Sequence, residues 1–264
     1  MAERERNEAP VEGLVPCRRL PPSAPFRWLR AGLADWAAAP RLGLLLGAIV
    51  VLLSVALSLL FWWAGGIWTL LAGLGAFVFA GPLLAIACYE VPRARLAGRR
   101  PSLAGALALA RRTLGEAMVL AILLLVLALL WIRAGSLVHV FLPAESEAGG
   151  GGLWAFLGVG GAVGALFATL VFAGTAFSLP LVADRRVDMV VAVLSSARAV
   201  LANRGVCLLW AALILGLSLL GMLLLLIGLG FVLPWLGFAT FHAAREALAA
   251  DAWPLREQAS GGAG

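Results

Sequence analysis

Two histidines, one acid at the head of an apolar run and a few acid–arginine clusters at the ends of others are the side chains that could do chemistry in this sequence. A haem or copper centre needs imidazoles at matching depth. His139 falls near one end of an apolar run and His242 near the opposite end of another, so each reads as a satisfied or interfacial histidine. Glu116 carries two readings. It is an intramembrane carboxylate in an ion path, or an acid held at a helix N-terminus beside Arg111 and Arg112. Arg133 is a substrate contact, or an arginine snorkelling outward from a span end. Asp184, Arg185 and Arg186 follow closely on Pro180 and form either a buried pair at a vestibule or a solvated exit. No Ser-His-acid set, no paired intramembrane carboxylates and no HExxH can be assembled. Cys17, Cys88 and Cys207 lack CxxC spacing, so neither zinc nor a disulfide framework is indicated. The glycines of GVGGAVG are misplaced for a nucleotide loop, and no strand precedes them. The residues point to no enzyme and no cofactor.

Composition says what must hold these side chains. The 264 residues are 62% hydrophobic and 13% charged. Soluble domains run near half apolar with about a quarter charged, so lipid must solvate this chain. A membrane domain of this length has room for about six helices of ~20 residues each. All 20 basic residues are arginine. That suits forked contacts to phosphate, but the codon bias of a GC-rich genome accounts for it better, because Ala, Gly and Leu are inflated as well. The net charge of +6 does not imply nucleic acid, because the arginines flank apolar spans.

Three domain segments follow: a disordered tail over 1–24, a six-span membrane domain over 25–250, and a second disordered tail over 251–264. Residues 25–39 read as a short amphipathic helix, with Phe26, Leu29, Leu33 and Trp36 on one face. It is too short and too charged to span, and belongs at the interface. Spans are expected at 42–64 and 67–89, the second with a small-residue stripe of Ala72, Ala76 and Ala80. Ser102 can cap a second short helix over 103–113, with Leu103, Leu107 and Ala110 on its apolar face. Spans follow at 116–137 and 153–181, separated by the loop near PAESEAGGGG. Gly160 and Gly164 form a GxxxG in the second of these. Asp188 caps a third short helix, whose expected face is Met189, Val190, Val193, Leu194, Ala197, Val200 and Leu201. The last spans are 205–227 and 231–247, joined at Gly228-Leu229-Gly230.

One pattern recurs: short amphipathic helix, arginine, span, link, proline-bearing span, polar exit. The prolines are Pro82, Pro180 and Pro234, each a possible kink. The pattern suggests a threefold repeat of helix plus hairpin. With the N-terminus inside, 19 of the 20 arginines become cytoplasmic and only Arg133 lies outside, a strong orientation signal. The candidate lipid-headgroup contacts are Arg93, Arg95, Arg99, Arg100, Arg111, Arg112, Arg185 and Arg186, with Asp184 among them. Together with Arg30 and Arg198 they would form a basic collar on one side.

At FRWLRAGLADWAAAPRLGLL, GPLLAIACYEVPRARLAGRRPSL, FSLPLVADRRVD and VLPWLGFATFHAAREAL the chain resembles a bacterial family of predicted integral membrane proteins, domain of unknown function 2189. The resemblance runs from Phe26 to Leu248. It implies a multi-pass inner-membrane protein and no particular activity; the arginine distribution places both termini in the cytoplasm. Some relatives carry a cytochrome oxidase label, which two histidines do not support as catalysis. More loosely, the layout is similar to the membrane portion attached to some bacterial glycerophosphodiesterases, without phosphodiesterase residues. Three functions remain open. The first is a non-enzymatic protein engaging membrane lipids or another membrane protein through a basic cytoplasmic face. The second is a small-molecule transporter using the proline-bearing spans. The third is an accessory subunit of a respiratory complex.

Overall fold

Peptide groups in lipid have no water to bond, so apolar runs of this length must close their hydrogen bonds internally as helices. In the computed structural model, residues 13–141, 151–224 and 227–256 are described, and side chains 67–72, 74–77 and 151–153 are not. Ten helices carry the described residues. They are α1 (Ala24–Ala38), α2 (Pro40–Ala64), α3 (Gly66–Leu96), α4 (Leu103–Arg112), α5 (Leu114–Phe141), α6 (Gly151–Thr175), α7 (Ser178–Asp184), α8 (Met189–Ala202), α9 (Arg204–Leu223) and α10 (Ile227–Ala247). Sheet structure among the described residues is limited to two isolated bridges, Cys17 with Leu248 and Arg185 with Leu255. The protein is an all-α, multi-span membrane protein. Five segments of the described residues are long and apolar enough to cross a membrane: α2, α5, residues 154–184, α9 and α10. The sixth expected span, 67–89, falls within α3, a single helix of 31 residues that runs on through Pro92 to Leu96. The Gly-rich loop near PAESEAGGGG and the side chains of Ala72 and Ala76 lie outside the described residues.

Each short helix is separated from the long helix after it by one residue. These are Ala39 (φ −135°, ψ 55°), Thr113 (φ −104°, ψ 6°) and Asn203 (φ −125°, ψ 41°). Each joint closes the first helix with its own N–H and opens the next with its carbonyl. Gly43, Ala117 and Cys207 donate back to Ala39, Thr113 and Asn203 at 3.0, 2.9 and 2.9 Å. The short helices are therefore distinct elements, and none continues as one long rod.

Their buried faces match those expected from hydrophobicity only in part: Trp36, Met189 and Val200 turn inward as expected, and most of the larger aliphatic side chains turn outward. On α1, Trp28, Gly32, Asp35 and Trp36 are buried while Phe26 and Leu33 are exposed. On α4, Ala106 and Leu109 are buried while Leu103 and Leu107 face out. On α8, Met189, Ala192, Ser195, Ser196, Ala199 and Val200 are buried while Val190, Leu194 and Leu201 are exposed. In lipid, apolar bulk has no reason to hide. Close packing and polar contacts decide what turns inward, and both favour small and hydroxyl-bearing residues.

Helix α10 is the hub. It packs against α1, α2, α3, α7 and α9. Its neighbours come close because glycine meets backbone. A Cβ on Gly32 of α1 would lie 2.8 Å from Ala239 N, and one on Gly47 of α2 would overlap the Gly230 carbonyl. Trp235 Nε1 donates to Leu29 O at 2.8 Å across the α1 contact. Trp28 stands edge-on to Trp210 of α9 at 5.4 Å and to Phe177, between α6 and α7, at 6.5 Å. That one side chain joins three parts of the chain. The GxxxG glycines do not serve such an approach: a Cβ on Gly160 would meet only Val138, and one on Gly164 nothing within 4 Å.

Of the three prolines, Pro180 stands beside a break. It cannot donate to Ala176 O, and its ring would clash there. The chain opens at Ala176–Phe177 and Ser196 repairs it, accepting from Phe177 N at 3.1 Å and donating to Ala173 O at 2.8 Å. Pro82 and Pro234 lie inside helices that continue past them.

Residues 13–23, read from the sequence as part of a disordered tail, run extended across the ends of α8 and α10. Val15 N donates to Ser195 Oγ at 2.9 Å, Leu20 N to Asn203 Oδ1 at 2.9 Å, and Arg18 N to Ala247 O at 2.8 Å. Val15 is fully buried. Buried partners on two helices tie down backbone that composition alone marks as loose. Residues 251–256 also pack: Trp253 is buried and Arg186 N donates to Pro254 O at 3.0 Å. Residues 1–12 and 257–264 lie outside the described residues.

Candidate functional site at the arginine-rich end

The helices end so that acids and arginines from all parts of the chain meet on one side of the bundle. A carboxylate taken out of water must find a partner, and five carboxylates here do so across elements. Asp35 of α1, 2% exposed, pairs with Arg95 of α3 and accepts or shares a proton with His242 Nε2 of α10 at 2.7 Å. Glu90 of α3, 1% exposed, has Arg93 Nη1 at 3.6 Å and Arg99 Nη1 at 3.8 Å. Its carboxylate lies so close to α4 that a Cβ on Gly105 would collide with it. Asp184 of α7 has Arg185 Nε at 3.3 Å and Arg245 Nε at 3.9 Å. Glu246 of α10 pairs with Arg27 and accepts from Trp28 Nε1 at 2.8 Å. Glu116 Oε2 accepts from Met189 N at 2.8 Å, so α5 caps the start of α8 together with Asp188, which accepts from Val190 N at 2.8 Å.

This favours the helix N-terminus reading: Glu116 lies in the first turn of α5 and also caps the start of α8. Replacing Glu116 with alanine should cost about 1 kcal/mol of stability, as loss of a capping acceptor does. Glu116→Gln keeps an acceptor and should cost less, as thermal unfolding in detergent would show. Asp184 with Arg185 is the buried pair rather than the solvated exit. Their side chains are 9% and 12% exposed, and Arg185 Nη1 also donates to Trp253 O at 2.8 Å. The exits pair only partly within themselves: Glu90 keeps Arg93 and Asp184 keeps Arg185, but other members go elsewhere. Arg95 leaves Glu90 for Asp35, His242 goes to Asp35, and Arg245 goes to Asp184. Asp35 is the functional residue that periodicity missed. It lies off the apolar face of α1, and its partners Arg95 and His242 come from α3 and α10.

The candidate collar divides accordingly. Arg93, Arg95, Arg99 and Arg185 are committed to carboxylates. Arg100, Arg111, Arg112 and Arg186 are exposed, as are Arg30, Arg41 and Arg198, and none of these seven makes an ion pair among the described residues. Arg256 bridges two segments, donating from Nη1 to Arg112 O and from Nε to Arg185 O, both at 3.3 Å. Burial pulls its guanidinium below the ordinary value. Glu116 opposes that, and Arg186 and Arg93 add to it.

Among the described residues no three His, Cys, Asp or Glu side chains converge on a point where a metal ion could sit. His139 stands edge-on to Phe156 at 6.1 Å, at the opposite end of the bundle from His242. Between the spans lie two apolar cavities on either side of α3. One, of about 510 Å³, is an open cleft lined mainly by α3, α5 and α6; the other, of about 320 Å³, is lined by α2, α3, α9 and α10.

Residues 67–184 match a family described as predicted integral membrane protein (DUF2189). Through this segment the chain is similar to that family. The DUF2189 match runs from the start of α3 to the end of α7, so it takes in Pro82, Glu90, Arg93, Glu116 and Asp184. It is narrower than the resemblance expected from the motifs, because α1, α2 and α8–α10 fall outside it. No curated protein and no solved structure matches the chain.

Proposed function

We propose that this protein is a non-enzymatic component of the bacterial inner membrane that gathers anionic lipid on its arginine-rich face, with that face and both termini in the cytoplasm. One observation carries the reading. The buried carboxylates of this end are already matched by arginine, histidine or backbone N–H, and at least seven exposed arginines are left over on the same side. Charge in excess of what the fold consumes is available to a partner. Near an anionic surface each arginine is worth about 1 kcal/mol, and its fork gives phosphate two bonds where lysine gives a point charge.

The finer architecture supports the same face. Six spans follow if α3 crosses with the other five. The joints at Ala39, Thr113 and Asn203 recur at equivalent places, and the packing is cyclic: α4 lies along α3, α8 along α6 and α7, and α1 along α10. A threefold repeat of short helix plus hairpin accounts for both. The outward apolar side chains of the short helices then enter lipid at the interface, with Arg30, Arg111, Arg112 and Arg198 at headgroup depth. The apolar lining of the cavities between spans favours acyl chains over a polar solute.

The test replaces Arg30, Arg41, Arg100 and Arg198, four of the exposed unpaired arginines, together with glutamine. The remaining arginines keep the topology signal. After purification in mild detergent at low and high salt, retained phosphatidylglycerol and cardiolipin should fall several-fold against wild type. Unchanged retention in a correctly inserted variant would reduce the collar to an insertion signal.

A further inference from the structure

The cavity of about 510 Å³ between α3, α5 and α6 is within the size range of small-ligand sites. Its walls include Val78, Pro82, Leu124, Trp131 and Phe167. Two glycines also line it, Gly81 and Gly164, and a Cβ at either would meet nothing within 4 Å. Neither has a positive φ. Glycine inside a helix costs about 1 kcal/mol relative to alanine. At Gly47 close backbone contact explains glycine; at Gly81 and Gly164 the only local consequence is open space. A polar solute would lose its hydrogen bonds there, whereas a hydrocarbon chain would not.

The charged end stands directly above this space. Leu120, on the cavity rim, is one turn from Glu116, about 6 Å along α5. Leu179, also on the rim, leads through α7 to Arg185 and Arg186. Arg256 holds these two segments together through the carbonyls of Arg112 and Arg185. Of the carboxylates in this neighbourhood, Glu116 is engaged by Met189 N, Asp184 by Arg185 and Asp188 by Val190 N. Arg112 and Arg186 make no ion pair among the described residues, and Arg256 feels Glu116. Hydrocarbon-lined space below and arginine above match one kind of molecule in both halves. We propose that this cavity is a single-lipid site, which holds an acyl chain of an anionic phospholipid while Arg112, Arg186 and Arg256 hold its phosphate. The site rests on the reading of the arginine-rich end as lipid-binding, and adds a place and a depth to it.

The experiment uses the full chain in mild detergent and native mass spectrometry. Phosphatidylglycerol competes with phosphatidylcholine of identical chains. Wild type should retain one phosphatidylglycerol in preference. Gly164→Leu puts a side chain into open space and should weaken that last lipid at least about tenfold, since even single methylenes in apolar pockets carry such factors. Arg256→Gln should lower the preference for phosphatidylglycerol about fivefold, the equivalent of one surface arginine. Arg112→Gln, an exposed side chain, should do the same without touching the bridge. Equal binding of both lipids by wild type, or an unaltered last lipid in Gly164→Leu, overturns the site. The broader reading fails separately. If the four-arginine variant loses its lipid while Gly164→Leu keeps it, the collar stands and the cavity assignment falls. If Gly164→Leu loses it and the four-arginine variant does not, the cavity stands and the collar falls.

Discussion

Leucine at Gly47 should drive α2 away from α10 and cost about 3 kcal/mol or more. Any Cβ at this position overlaps the Gly230 carbonyl, which is backbone within a helix and cannot turn aside. Overpacking in a rigid core costs about 1–3 kcal/mol when side chains can adjust, and more when they cannot. The effect should be specific to one face. Gly43, Leu46 and Gly47 are buried, whereas Leu44 is 63% exposed and faces lipid. Leu44→Ala should therefore leave the midpoint of thermal unfolding in detergent nearly unchanged, while Gly47→Leu lowers it or prevents recovery of folded protein. Equal effects from the two would mean that α2 does not pack on α10 through this face.

The second large effect is at Asp35. Removing one partner of a buried ion pair costs about 3–5 kcal/mol, because the charge left behind has lost its compensation. Asp35→Leu leaves both Arg95 and His242 without their acceptor. The Arg95 side chain is 36% exposed and can turn partly to water, so the lower value, about 3 kcal/mol, is expected. Asp35→Asn keeps an acceptor for His242 but not the charge, and should fall between leucine and wild type. A loss in Asp35→Leu no greater than that of an exposed surface substitution would show that this carboxylate does not join α1 to α3 and α10.

Much of the layout was legible because lipid imposes simple rules. Apolar length marked the spans, proline and arginine marked their ends, and Ser102 and Asp188 marked two helix starts as caps. The structure shows Ser102 Oγ accepting from Gly105 N at 3.0 Å and Asp188 Oδ1 accepting from Val190 N. What failed was the habit of reading an amphipathic helix from water. Phe26, Leu33, Leu103, Leu107, Val190 and Leu194 form regular apolar faces, and all point outward. Gly32, Asp35, Ala106, Ser195 and Ser196 point inward because the bundle is joined by close approach and hydrogen bonds. The contact glycines were illegible for a related reason. Gly47 and Gly230 are 183 residues apart, and nothing in either local sequence distinguishes them from Gly164, which faces empty space. The pairings at the charged end were partly hidden. Glu90 with Arg93 and Asp184 with Arg185 pair locally, but Arg95, His242 and Arg245 reach to other helices.

The lipid reading depends on which leaflet the arginine-rich end faces, since the cytoplasmic leaflet carries the negative surface potential. Cysteine labelling in spheroplasts measures this most directly. Native Cys17 is a poor reporter, being half-buried and bridged to Leu248, and Cys88 and Cys207 are buried. Ala104 of α4 is exposed, removes no arginine when changed, and lies at the charged end. Ala148 belongs to the loop expected at the other end. With an impermeant maleimide, Ala148→Cys should label in intact spheroplasts, and Ala104→Cys only after permeabilisation. Labelling of position 104 but not 148 in intact spheroplasts would place the arginines outside and contradict the account.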